Sequence, residues 1–375
     1  MSFIFSLCMV LYAIALSAAM AFAPTFSSPA TPLGVKIPKE RSHDPAVTQA
    51  LSGYRHIIVL AGAIASVIML PTWKFPILAG FATTFIVMAS LFAYAKQRTM
   101  IIAAKREGKW FDDIETTIAG QVAQPRFNKE LGKLSTPHVP WLWLLGSLAA
   151  ILTGIAVTAY RWADIPETIP THWGSGMQPD AWSDKSIGTV FFGAFIALGL
   201  LVLFAALTSL IAWSSVHVRS DQTIRGAIRN RANMAAANRG MGLLLFGITV
   251  PLMFLQICSA IPSYQHAVPL ITISLIIITV ICVPIMLVMI YNAQSSVEEL
   301  VRHIDVGETS TLDSPDNDKF YKWGVFYNNP DDPALFVDRR FGVGFGFNYA
   351  HWQTKTLLAA IILSVIGLIA LAVFL

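Results

Sequence analysis

Residues 268–291 read VPLITISLIIITVICVPIMLVMIY, an apolar run without one charged side chain. A bilayer core of roughly 30 Å is crossed by about 20 consecutive apolar residues in an α-helix. A run this long leaves no face for water, so it reads as a membrane span. Seven more blocks share its character, at 2–23, 56–72, 75–94, 141–160, 188–213, 241–258 and 356–375. The chain is 55% hydrophobic and only 13% charged, with a mean hydropathy of +0.61. A soluble domain carries about a quarter charged residues, so the surface of a water-soluble fold is missing. The expected fold is an all-α polytopic membrane protein of about eight transmembrane helices. Pro71 separates the short second block from the third. One helix through both would hold a proline at its middle, so a tight hairpin with Thr72, Trp73 and Lys74 at its tip is expected.

Basic residues give the orientation, because cytoplasmic loops collect Lys and Arg. With eight spans, one side receives segments 24–55, 95–140, 214–240 and 292–355. These hold 23 of the 26 basic residues, among them Lys96, Arg98, Lys105, Arg106, Lys109, Arg225, Arg229, Arg231 and Arg239. The other side holds Lys74, Arg161 and Lys185. The rich side is expected inside and both termini outside. The net charge of +4 is then a topology signal that calls for no nucleic acid. Ala21-Phe22-Ala23 has the small-x-small form of a signal cleavage site. No positive stretch precedes it, and removal of the first block would turn the 23 basic residues outward, so that block is expected to remain as a span.

The spans themselves hold little chemistry. No Asp, Glu, Lys or Arg falls mid-span, which argues against a proton-coupled pump. Cys8, Cys258 and Cys282 lie in apolar blocks without a CxxC pair and read as small hydrophobes. Pro251 and Pro284 fall inside the sixth and seventh blocks, and each frees a carbonyl. They read as kinks satisfied by neighbouring helices, with a small polar pocket around Pro251, Gln256 and Ser259 as the sharper alternative.

The only sizeable loop assigned outside is 161–187, RWADIPETIPTHWGSGMQPDAWSDKSI. It carries Trp162, Trp173 and Trp182, while Pro166, Pro170, Gly174, Gly176 and Pro179 force turns. A free linker has no use for three tryptophans, so a compact loop folded onto the membrane surface is expected. His172, Asp180 and Asp184 are candidate ligands for a divalent metal. Their spacing fits no metal signature, and a His–Asp hydrogen bond locking the loop is the plainer account. No nucleophile or oxyanion site can be named beside them, so neither metal, cofactor nor enzymatic activity is expected.

This loop also carries a resemblance. Pro170, His172, Trp173, Gly176, Asp180, Trp182 and Lys185 resemble the hallmark of a bacterial membrane family, domain of unknown function 1648, over about 50 residues from the fourth span to the start of the fifth. Its best-understood relatives are immunity proteins against the sporulation-delaying toxin of bacilli, which protect the membrane and help signal to a repressor. The resemblance implies a bacterial cytoplasmic membrane and an outer feature built from these residues. It does not carry the immunity activity over, since this chain has extra spans and a different tail.

On the inner side, Pro32-Leu-Gly34-Val-Lys36-Ile-Pro38 reads as extended or turned, and Asp44 as the cap of the helix leading into the second span. A similar run occurs in some larger members of the same family. Residues 96–108 are expected to continue the third span as a cytoplasmic helix, and Arg225 and Arg229 read as an anchor to anionic lipid. The stretch from Asp313 to Asp318 lacks the glycine and final glutamate of a calcium loop and reads as a solvated linker. Beyond it, a turn cluster between aromatic runs predicts short strands. There Phe341, Val343, Phe345 and Phe347 alternate with Gly342, Gly344 and Gly346, giving one large and one bare face. Tyr327, Asn329, Pro330, Asp332, Pro333, Phe336 and Arg339 resemble a second module, domain of unknown function 5808, which implies no activity. It is expected to offer a docking surface to a cytoplasmic regulator.

The organisation expected is therefore five parts: 1–140, an N-terminal three-helix region; 141–200, the outer-loop domain with its flanking helices; 201–292, spans five to seven; 293–355, a β-containing cytoplasmic module; and 356–375, the last span. The leading expectation for function is sensing, immunity or signal relay, with an extracellular peptide and a cytoplasmic regulator as partners beside the lipid bilayer. A small-solute carrier or channel through the kinked spans is the alternative, and a membrane-embedded enzyme comes third.

Overall fold

The protein, seen in a computed structural model, is described over residues 2–112, 137–174, 178–217, 224–302, 316–342 and 344–374. Its long helices are α1 (Ser2–Phe22), α2 (Pro45–Met69), α3 (Ile77–Glu107), α4 (Trp141–Tyr160), α5 (Phe192–His217), α6 (Ile224–Ala260), α7 (Val268–Arg302) and α8 (Trp352–Phe374). Among the described residues, 7 helices are long and apolar enough to cross a membrane, namely α1 to α7. Helix α8 has 23 residues, or about 35 Å at 1.5 Å per residue. The chain is a multi-pass, all-helical membrane protein with a few short strands.

Local signals explain the helix ends. Asp44 caps α2, its carboxylate accepting the Ala46 amide at 2.9 Å, and Pro45 stands at the first helical position, where no amide is needed. Pro71 breaks α2 from α3 in a short 3-10 turn, Leu70–Trp73. That tip is tied to α1, because the Trp73 amide donates to Ser6 Oγ at 3.2 Å and Ser6 and Thr72 share a hydrogen bond of 3.3 Å. Helix α3 runs on to Glu107, as expected, and ends at Gly108.

Two bundles meet along α1. Helices α1, α2 and α3 pack together, α6 packs against α4, α5 and α7, and α1 also packs against α7. Helix α8 lies on α5. At one end of the bundle sits a β-hairpin, β1 (Thr168–Trp173) with β2 (Pro179–Asp184). At the other end the chain after α1 and the chain before α8 fold together. That region holds β3 (Tyr321–Lys322) with β4 (Phe326–Tyr327), and β5 (Phe336–Asp338) with β6 (Phe345–Phe347), all antiparallel pairs.

Some expectations need correction. Strands are not confined to the segment before the last helix, since β1 and β2 pair within the loop 161–187. Nor does 341–347 make one strand with one large face. Gly342 and Gly344 take φ of +80° and +114° and turn the chain. Phe341 therefore packs on Tyr54 and Tyr94, at ring distances of 6.0 and 4.9 Å, while Phe345 and Phe347 pack on Phe336. Val343, Gly176 and the linker residues Asp313 to Pro315 lie outside the described residues.

Candidate functional site

The hairpin is fastened at its base. Ile169 is buried with Ile165, Val190, Ala260 and Ile261, which pins β1 to the end of α6. Lys185 donates to the carbonyls of Trp162 and Ile165 at 2.9 and 2.8 Å and lies over the Trp162 ring. That ring stacks on Phe191, and Ser186 with Thr189 closes a capping box on the next turn of helix. Pro170, which pairs with Trp182, is tolerated because a two-stranded sheet consists of edges and asks for no inner ladder amide. Trp182 itself is exposed.

Farther out, His172 Nδ1 meets Asp180 Oδ1 at 2.5 Å, with both side chains more than half exposed, at 68% and 51%. The register slips on both sides of His172, which brings the two side chains together. Gly174 leaves room beside them for the Asp180 carboxylate, which a Cβ there would push aside. Asp184, the third candidate metal ligand, pairs with Thr168 at the hairpin base, away from the other two. Among the described residues, no group of three or more His, Cys, Asp or Glu side chains converges as a metal site would.

Beneath the hairpin lies a cavity of about 780 Å³. His172, Asp180 and Trp173 line it from the hairpin, Phe5 from α1, Trp73 from the α2–α3 tip, and Gln256 and Ser259 from α6. Small-molecule sites commonly span about 300–1,000 Å³ and combine apolar walls with a few polar groups, which describes this cavity. It sits at the seam of the two bundles and is assembled from residues far apart in sequence. Of the polar pocket read around Pro251, Gln256 and Ser259, the last two line this larger cavity and Pro251 does not. Gln256 has a structural task as well. Its Oε1 accepts the buried Ala194 amide at 2.6 Å, and its Nε2 donates to Thr158 at 3.2 Å. Helix α5 begins at Phe192, so Gln256 caps from α6 an amide that has no helical partner. Gly193 leaves room for that side chain, where a Cβ would stand 3.1 Å from Oε1.

The opposite end holds a network around Arg340, which is only 4% exposed. Its guanidinium donates to Asp318 at 2.5 Å, to the Gly34 carbonyl at 3.1 Å and to Asn317, and lies 3.5 Å over the Tyr321 ring. Asp318 also takes the Lys36 amide at 3.0 Å and Lys105 at 2.7 Å, and Lys105 reaches Asp316 at 2.8 Å. Burial works against the Asp318 charge, but Arg340, Lys105 and the Lys36 amide outweigh it and hold its carboxyl below the usual carboxylate range. The end of the supposed solvated linker is therefore the anchor of this network. Gly34 and Gly324, with φ of +74° and +77°, approach backbone to backbone beside Tyr94, where neither could carry a side chain. Arg229 is also turned inward, donating to the Ser27 carbonyl at 3.3 Å and standing 4.0 Å from Glu298, while the side chain of Arg225 lies outside the described residues.

The second motif wraps around a residue that the sequence reading missed. Asn348 is fully buried, donates to the carbonyls of Asn329 and Asp332 at 2.8 and 3.0 Å, and accepts the amides of Asn329 and Ala350. Tyr327 donates to Asp332 at 3.0 Å and accepts from Asn329 at 3.1 Å. Phe336 joins Trp213, Phe345 and Phe347. Pro330 and Pro333 are exposed at the turn, and so is Arg339, whereas its neighbour Arg340 is the buried one. Nothing in the pattern of the sequence separates Arg339 from Arg340 or marks Asn348, because each is defined by a partner distant in the chain.

Comparison with known proteins agrees with both ends. Residues 149–198 match the model of Domain of unknown function (DUF1648), and residues 330–355 match that of Family of unknown function (DUF5808). Tyr327 and Asn329 fall just before the second match, though they are bonded into it. No curated protein and no solved structure matches the chain. This is thus a multi-pass membrane protein that carries the DUF1648 domain around its hairpin and the DUF5808 domain before its last helix.

Proposed function

We propose that this chain is a non-enzymatic protein of the bacterial cytoplasmic membrane that senses or neutralises an extracellular molecule, such as a peptide, at the hairpin and relays its presence to a cytoplasmic regulator. Eight crossings, with α8 as the last, leave both termini outside, and the 23-to-3 split of basic residues supports that orientation. The observation that carries the reading is the course of α1. Phe5 lines the cavity, and α1 ends at Phe22, where a short 3-10 turn, Ala23–Phe26, leads to Ser27, whose hydroxyl accepts the Gly342 amide at 2.8 Å and whose carbonyl accepts Arg229. A ligand that moves Phe5 acts on the far module through α1 and the turn that follows it.

His172→Ala and Asp180→Ala test this when toxin sensitivity and solute flux are followed in the same cells. Loss of protection or response with flux intact is the expected result. Flux that fails only when Gln256 or Pro251 is changed would make the carrier reading the better one. Against that alternative, Gln256 is already spent on Ala194 and Thr158.

A further inference from the structure

The groups around the cavity also bear on what it takes, granted the reading above that the cavity is the binding site. Among the described residues, Asp180 is its only carboxylate and no lysine or arginine lines it. Lys185 is bound to the carbonyls of Trp162 and Ile165, and Arg161 to Asp164 and Tyr264. Over the loop 161–187, Asp164, Glu167, Asp180 and Asp184 stand against Arg161 and Lys185, so its field is negative. The hydroxyls point the same way. Ser259 donates to the Gln256 carbonyl, Thr272 to Val268, Thr189 to Asp184 and Thr72 to Met69. Each gives its proton to the backbone, while Thr171 and Ser183, which also line the cavity, bond to each other. His172 Nδ1 is tied to Asp180 at 2.5 Å, which leaves Nε2 as the other polar atom of the ring. Below this acceptor-rich rim the walls are apolar and aromatic: Phe5, Trp73, Trp173, Leu252 and Leu255. Aromatic faces also attract cations, and Trp73 already carries Lys74 over its ring at 5.1 Å.

We infer that the cavity binds an amphipathic ammonium, its charged head at Asp180 and His172 and its apolar body among Phe5, Trp73 and Leu255. A basic peptide side chain and a membrane aminophospholipid offer the same chemistry, and the test separates them. Full-length protein is reconstituted in phosphatidylglycerol nanodiscs, with empty discs as the blank. It is titrated calorimetrically with octylammonium, octyl glucoside and octyl sulfate.

Saturable binding of octylammonium at least tenfold tighter than of the other two is expected. Asp180→Asn should weaken it about tenfold, the scale of a hydrogen bond to a charged group. The same substitution should leave octyl glucoside unchanged, which shows that the cavity is still formed. Trp73→Ala should weaken both. If phosphatidylethanolamine in the disc competes with octylammonium, the lipid amine is the resident ligand; if it does not, the ligand comes from solution. Equal or tighter binding of the glucoside or the sulfate overturns the ammonium assignment while the cavity stands as a site. If none of the three binds saturably and Trp73→Ala changes nothing, the cavity reading itself falls.

Discussion

The two ends of this molecule both hang short strands on long helices, yet they are built in opposite ways. The hairpin is fastened only at its base and holds its outer polar pair half in water above a cavity. The far module buries its polar groups and satisfies them many times over: Arg340 has four partners, Asp318 three and Asn348 four. The difference teaches where change is tolerated. A site that must admit a ligand keeps its polar groups reachable, whereas a clamp between distant segments keeps them closed and loses much when one is removed.

The sharpest way to break the comparison is Arg340→Ala, which leaves the Asp318 charge without its closest partner inside the module. A loss on the order of 3 kcal/mol is expected, read as a lower unfolding midpoint of the purified protein. Asn348→Ala comes next, at roughly 2 kcal/mol for the backbone groups it orphans, read as faster amide exchange across 321–349. Acid should open the same clamp. Since the Asp318 carboxyl titrates below its ordinary range in the folded state, its contribution is complete above the unfolded pKa and is lost as pH falls through the lower, folded one. Protease access to 316–342 should therefore stay flat at neutral pH and rise only below about pH 4. An opening near pH 6 would assign the clamp to another group. Smallest in global effect is Lys185→Ala. The hairpin base loses two hydrogen bonds, so exchange in 168–173 should quicken while the unfolding midpoint moves by no more than about 1 kcal/mol in equivalent stability.

Much of the architecture was legible, because span length is fixed by the bilayer and Pro71, Asp44 and Gly108 each act locally. The His172–Asp180 bond was legible too, as two complementary groups in one short loop. What escaped reading depends on distance in the chain. The hairpin's strands hold Pro170 within β1 and open β2 on Pro179, and a proline inside a run normally argues against a strand. The cavity needs Phe5, Trp73 and Leu255 to meet. Arg340 and Asp318 became a clamp only through Lys105, Lys36 and Gly34, far earlier in the sequence.

The Gln256 cap has a further consequence, for how the protein is made. The Ala194 amide emerges 62 residues before the side chain that satisfies it. In hydrocarbon a bare amide is costly, so α5 is not settled when it first reaches the bilayer. The first turn of α5 therefore reaches its final bonding only once α6 stands beside it.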